Sequence, residues 1–136
     1  MYKTILVPVD LAHPEKGRPM IETARRIAEK DARIMLLNAI EDVPTYIAAQ
    51  LPEQILDEAR EHAQEELKAI AGAAGIKPDI EVRSGHAASA ILDFAEAQGV
   101  DLIVVGSHKP ALEDYFLGST ASRVVRHAKC SVLVVR

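Results

Sequence analysis

The sequence predicts an α/β fold, an open parallel sheet with helices on both faces. Three observations predict it. Short apolar runs alternate with segments of helical spacing along all 136 residues. The runs are rich in Val and Ile and apolar at successive positions, so both sheet faces would be buried, as in parallel sheets. Glycine follows two of the helical segments, where the residue just past a helix adopts a left-handed conformation. The order β-α-β-α-β-α-β-α-β then implies right-handed crossovers.

Each element has its own signal. Thr4–Val9 reads as the first strand, and Ile21, Ala24, Ile27 and Ala28 form the first helical stripe. Ile34–Ile40 reads as the second strand. The irregular segment Glu41–Glu53 carries Val43, Tyr46, Ile47 and Leu51, and is either a packed flap or part of an interface. Leu56, Ala59, Ala63, Leu67, Ile70 and Ala74 make the second stripe, ended by Gly75. Ile80–Arg83 is a weaker strand signal. Ala88, Ile91, Leu92 and Ala95 follow, ended by Gly99. Leu102–Val105 is the fourth strand, Ala121, Val124, Val125 and Ala128 the fourth stripe, and Ser131–Val135 the last strand. There is no internal repeat or low-complexity linker, so residues 1–136 are expected to form one domain.

Composition narrows the function classes. Hydrophobic residues make up 49% and charged residues 26%, ordinary for a soluble globular chain. A net charge of −4 with no basic block gives no general attraction to nucleic acid or anionic lipid. The opening MYKTILVPVD is too short in its apolar part for a signal peptide, and no run approaches a membrane span. The lone Cys130 suits a reducing cytoplasm.

Open α/β sheets take ligands beyond the carboxyl ends of their strands, near the point where strand order reverses. That rule singles out Asp10, Asn38-Ala39 and Gly106-Ser107. The stretch GSHKPALEDYFLGSTAS, Gly106 to Ser122, adds a second glycine-serine pair before the fourth stripe. Ser119 and Thr120 therefore fall at a helix N-terminus, whose open N–H groups and positive dipole end suit an anion. Gly106 has no Cβ to block a ligand's approach. The other reading is a simple connection, with Gly118 easing a turn and Ser119 capping the helix. Both stay open on local chemistry, and the stretch is not a Walker loop, since Gly-Lys-Ser/Thr is absent.

The whole chain resembles the UspA-type universal stress proteins. TILVPVD at the start, DLIVVGSH in the middle and LGSTASRVVRHAKCSVLVVR at the end carry the resemblance. It implies a five-stranded parallel sheet in the order 3-2-1-4-5, and a homodimer formed through the C-terminal strand. One branch of the family binds ATP through a glycine, two residues, a second glycine, nine residues, then glycine with Ser or Thr. Gly106 matches the first glycine and Gly118-Ser119 the last pair, but Lys109 replaces the second glycine and PALEDYFL is one residue short. Lys109 keeps the backbone from a close approach there and can instead meet phosphate as a point charge.

The resemblance implies that Pro8, Val9 and Asp10, with Asn38 and Ala39, meet the nucleoside. Asp10 stays open between an adenosine contact and a strand-end carboxylate satisfied by backbone N–H groups. Ser107 and Ser119 match ribose and phosphate contacts, with His108 and Lys109 in the loop and Thr120 and Ser122 on the same helix turn. The expected ligand is ATP, or AMP or ADP, with Mg2+ accompanying ATP.

Other residues carry less. His108 has no partnered Ser or Cys nucleophile and reads as a polar loop residue. His13, His62, His86 and His127 lack metal-ligand spacing with one another or with Cys130, so no metal site is expected. Cys130 reads as a small, partly buried residue. Tyr115, Phe116 and Leu117 are either a flap or core. Three functions follow in order: a dimeric, cytoplasmic adenine-nucleotide-binding stress regulator; a dimeric interaction module of the same fold without nucleotide; and a slow ATPase, for which no general base is identifiable.

Overall fold

The structure, a computed structural model, describes residues 1–41, 45–107 and 117–136. Five parallel strands form one sheet: β1 Tyr2–Pro8, β2 Ala28–Ile40, β3 Asp79–Ser84, β4 Leu102–Gly106 and β5 Ser131–Val135. Their order is β3-β2-β1-β4-β5, the order that the resemblance implied. The helices are α1 Gly17–Ile27, α2 Thr45–Ala48, α3 Glu53–Ala73, α4 Ala87–Ala97 and α5 Ser119–His127.

Alternation along the strands sends side chains to both faces, and both are covered. Ile5 and Val7 of β1, Leu36 of β2 and Val104 of β4 pack with Met20, Ile21 and Ala24 of α1 and with Ala63 and Leu67 of α3. Their neighbours Leu6, Met35, Leu37 and Ile103 pack on the other face with Ile91 and Phe94 of α4 and Val124 of α5. Continuous apolar runs are thus the mark of a sheet with no wet face.

The two predicted helix ends are Schellman turns. Gly75 has φ 71° and Gly99 φ 63°, both left-handed. Ile76 N–H reaches Ala71 O at 3.1 Å, and Val100 N–H reaches Ala95 O at 3.0 Å.

Four sequence readings shift. Ala28 begins β2 instead of ending α1, and β2 starts well before Ile34. Between Tyr2 and Thr4 the register slips, because Tyr2 pairs with Ala28 and Thr4 with Arg33. The extra residues of β2 include Lys30 and Asp31, which are exposed and so carry no apolar signal. In α3 only the later part of the predicted stripe is buried: Ala63, Leu67 and Ala74, with Ala71 beside them. Leu56 is 40% exposed and Ala59 is exposed, because a helix of 21 residues, about 31 Å long at 1.5 Å per residue, outreaches the sheet that it covers. Val125 is also exposed, since the short α5 buries one row, Ala121 and Val124. Within Glu41–Glu53, Tyr46 is exposed, which fits no packed flap at that position. Val43 lies outside the described residues. Among the described residues, no helix is long and apolar enough to cross a membrane.

Candidate functional site

Because all strands run parallel, their carboxyl ends share one rim. There the chain leaves β1 toward α1 on one face and leaves β4 toward α5 on the other, so a cleft opens between them. It is a cavity of about 600 Å³. Pro8, Val9 and Asp10 line it from the end of β1, and Asn38 and Ala39 from β2. Gly106 and Ser107 line it from β4, and Gly118, Ser119 and Thr120 from the start of α5. His108, Lys109, Tyr115 and Phe116 lie outside the described residues, and Leu117 packs in part against the α4–α5 core.

The β1–β2 wall is fixed by hydrogen bonds. Val9 N–H donates to Leu37 O at 2.8 Å, extending the ladder one residue past β1. The side chain of Asn38, 8% exposed, donates from Nδ2 to Val9 O at 2.9 Å. A buried amide with its donor satisfied holds this wall firmly, since leaving that carbonyl unpaired would cost about 1–3 kcal/mol. Asp10 is exposed, and its Oδ1 accepts from Ala12 N–H at 2.9 Å. This is an Asx-turn, which satisfies one carboxylate oxygen from the backbone, and the residue also lines the cavity.

The opposite wall is tied at its base. Ser107, 6% exposed, donates its N–H to Val135 O at 3.0 Å and accepts from Gly118 N–H at 2.7 Å. The residues that bracket the loop are thereby held together, which places the start of α5 beside the end of β4. Gly118, not Ser119, is the N-cap, with extended backbone (φ −60°, ψ 159°) and no side chain to cap with. Its carbonyl accepts from Ser122 N–H at 2.9 Å, the first bond of the helix. Among the described residues, no side chain caps this terminus and its first turn has no acidic residue. Its first residues, Ser119 and Thr120, line the cavity, and the N–H groups and positive dipole end of a helix start suit an anion. A Cβ added at Gly106 would sit 3.6 Å from Met20 Sδ, an ordinary contact. The protein's own packing thus does not demand glycine at this point of the cavity.

Among the lining residues that sequence reasoning missed, Glu41 and His86 stand at the start of α4. Glu41, just past β2, reaches across the rim, and its Oε1 accepts from Ala87 N–H at 3.0 Å at the start of α4. His86, the N-cap of α4, also lines the cavity. Neither sits in a motif, and each matters through a partner far away in sequence. Among the described residues, no three His, Cys, Asp or Glu side chains converge as a metal site would need. Cys130 is half-buried and free, and burial pushes its thiol pKa up, which leaves it a weak nucleophile.

The likeness to known proteins extends over the entire chain. The model of the universal stress protein family matches residues 1–136. Universal stress protein A homolog 2 of Coxiella burnetii is 38% identical, over 99% of this chain and 95% of its own length. Among solved structures, hypothetical protein MJ0577 matches with a TM-score of 0.80 at 27% identity, covering 99% of this chain and 96% of that one. A universal stress protein in complex with cAMP shares the fold, with a TM-score of 0.68 at 24% identity over 99% of this chain and 97% of its own. The 3-2-1-4-5 sheet, the cleft at its switch point and a sequence match from end to end agree, and the chain belongs to the universal stress protein family.

Proposed function

We propose that the protein binds ATP or another adenine nucleotide in this cavity and acts as a dimeric, cytoplasmic regulator of a stress response. One observation carries the reading: the cavity joins a fixed, largely apolar wall at β1 and β2 to a helix N-terminus at Gly118 that no side chain caps among the described residues. A nucleoside suits the first and phosphates the second. The volume of about 600 Å³ lies within the range of small-molecule sites. The ligand would lie across Asp10, Ala39 and Gly106, with its phosphates toward Ser119 and, in the loop, Lys109. Mg2+ would arrive with ATP. Among the described residues, the two carboxylates lining the cavity, Asp10 and Glu41, each already accept a backbone N–H, so a regulator suits the site better than a hydrolase.

Calorimetry with ATP, AMP and adenosine, with analysis of an acid extract of the purified protein for nucleotide, tests the reading. Binding of adenine nucleotides is expected. No heat from any of the three, with no nucleotide in the extract, overturns it. The second reading, a dimer without nucleotide, is favoured by one observation: Lys109 stands where the ATP-binding branch has glycine.

Dimerisation is proposed through β5. Val132, Leu133, Val134 and Val135 are only half-buried at a sheet edge, and an open apolar edge invites pairing. A two-fold mate would cover it. Sedimentation at micromolar concentration should show a dimer, and Val134→Lys should shift it to monomer. A parent protein that sediments as monomer there ends this part of the proposal.

A further inference from the structure

Beside the α5 end of the cavity stands an arginine–histidine pair that no motif announces. Arg123 follows Ser119 by four residues on α5, so both project from the same side of the helix, and Ser119 lines the cavity. His86, which also lines the cavity, comes from the start of α4. Arg123 Nη1 lies 3.4 Å from His86 Nδ1 and 3.5 Å from Nε2. Nearly equal distances to both ring nitrogens mean that the guanidinium is not aimed along either lone pair but rests against the ring. Its donors are therefore not used up by the imidazole. Among the described residues, no carboxylate pairs with Arg123, whereas three of the other arginines, Arg18, Arg33 and Arg83, each have one. Arg123 is exposed and always charged, and its planar fork suits the paired oxygens of phosphate.

Resting on the adenine-nucleotide reading, we propose that Arg123, steadied by His86, contacts the outer phosphates and gives the site its preference for longer phosphate chains. The first phosphate meets the N–H groups at Ser119 and Thr120. A phosphate chain continuing along α5 toward Arg123 would meet the guanidinium one turn later. The Glu41 carboxylate already accepts Ala87 N–H at the start of α4, and its charge would steer the chain toward α5. His86 is a positioning residue here, and Arg123 is the binding residue.

Calorimetry on the full chain with ATP, AMP and inorganic tripolyphosphate separates the outcomes. Arg123→Ala should weaken ATP and tripolyphosphate roughly ten-fold, as expected for loss of a charge-assisted phosphate contact, while AMP changes far less. Arg123→Lys should restore part of the loss, and His86→Ala should weaken ATP by a smaller factor with an intact Arg123. Circular dichroism confirms that the variants are folded. Equal losses for ATP and AMP, or none for either, overturn the proposal while leaving nucleotide binding standing. Tripolyphosphate binding that depends on Arg123, without binding of any adenine compound, sinks the nucleotide reading and keeps the anion contact. A parent protein that binds neither ATP nor tripolyphosphate overturns both.

Discussion

Helices α4 and α5 pack on the same face of the sheet and start at the same cavity, yet their N-termini are treated in opposite ways. At α4 the protein supplies its own anion: the Glu41 carboxylate accepts Ala87 N–H. Such a carboxylate at a helix start stabilises by about 0.3–1 kcal/mol. At α5 the cap is Gly118, with no side-chain oxygen, and the first turn carries no acid. The difference is the basis for the proposed phosphate position. A terminus filled by a carboxylate repels a second anion, whereas an unfilled one retains its donors and its dipole for a ligand. The cavity thus has one closed and, among the described residues, one open pole, and a phosphate of the proposed ligand would be directed to the open one.

The most damaging change to this contrast acts at the open pole. Gly118→Val would place a branched side chain where phosphate should approach, and the backbone at φ −60° is one that Val tolerates, so the variant should fold. ATP affinity should fall by roughly a hundred-fold, about 2.7 kcal/mol, as read by calorimetry. Unchanged affinity would remove the phosphate role from the start of α5.

A gentler change acts at the closed pole. Glu41→Gln keeps an acceptor for Ala87 N–H but removes the charge from the cavity. Stability in urea should fall by about 0.3–1 kcal/mol. ATP affinity at low salt should rise by about two- to three-fold, and the gain should fade as salt screens the remaining charges. An equal gain for uncharged adenosine would show that Glu41 acts sterically and that the two poles differ only in shape.

Much of this arrangement was legible in the sequence. The apolar runs marked β1, β4 and β5 to within a residue or two, because β1 and β4 are buried in the middle of the sheet and the half-buried edge strand β5 is apolar after Ser131. Gly75 and Gly99 marked helix ends because the left-handed conformation there favours glycine. The strand-end rule picked out Asp10, Asn38, Ala39, Gly106 and Ser107, all of which line the cavity. Less legible was anything polar or overhanging. The early part of β2 is hydrophilic at Lys30 and Asp31, and the exposed Leu56 matches the helical period as well as the buried Leu67 does.

By itself, then, the sequence determined what each segment must bury and where the chain must turn, since those demands act over a few neighbouring residues. Only the tertiary structure decided the polar pairings that shape the site. Asn38 finds Val9 O from 29 residues away, Glu41 finds Ala87 N–H from 46, and Arg123 finds His86 from 37. No local periodicity encodes such pairs. They depend on strand order and on the path of the connections, which bring separate stretches of chain to the same rim, and there a single donor or acceptor settles which pole is closed and which is open.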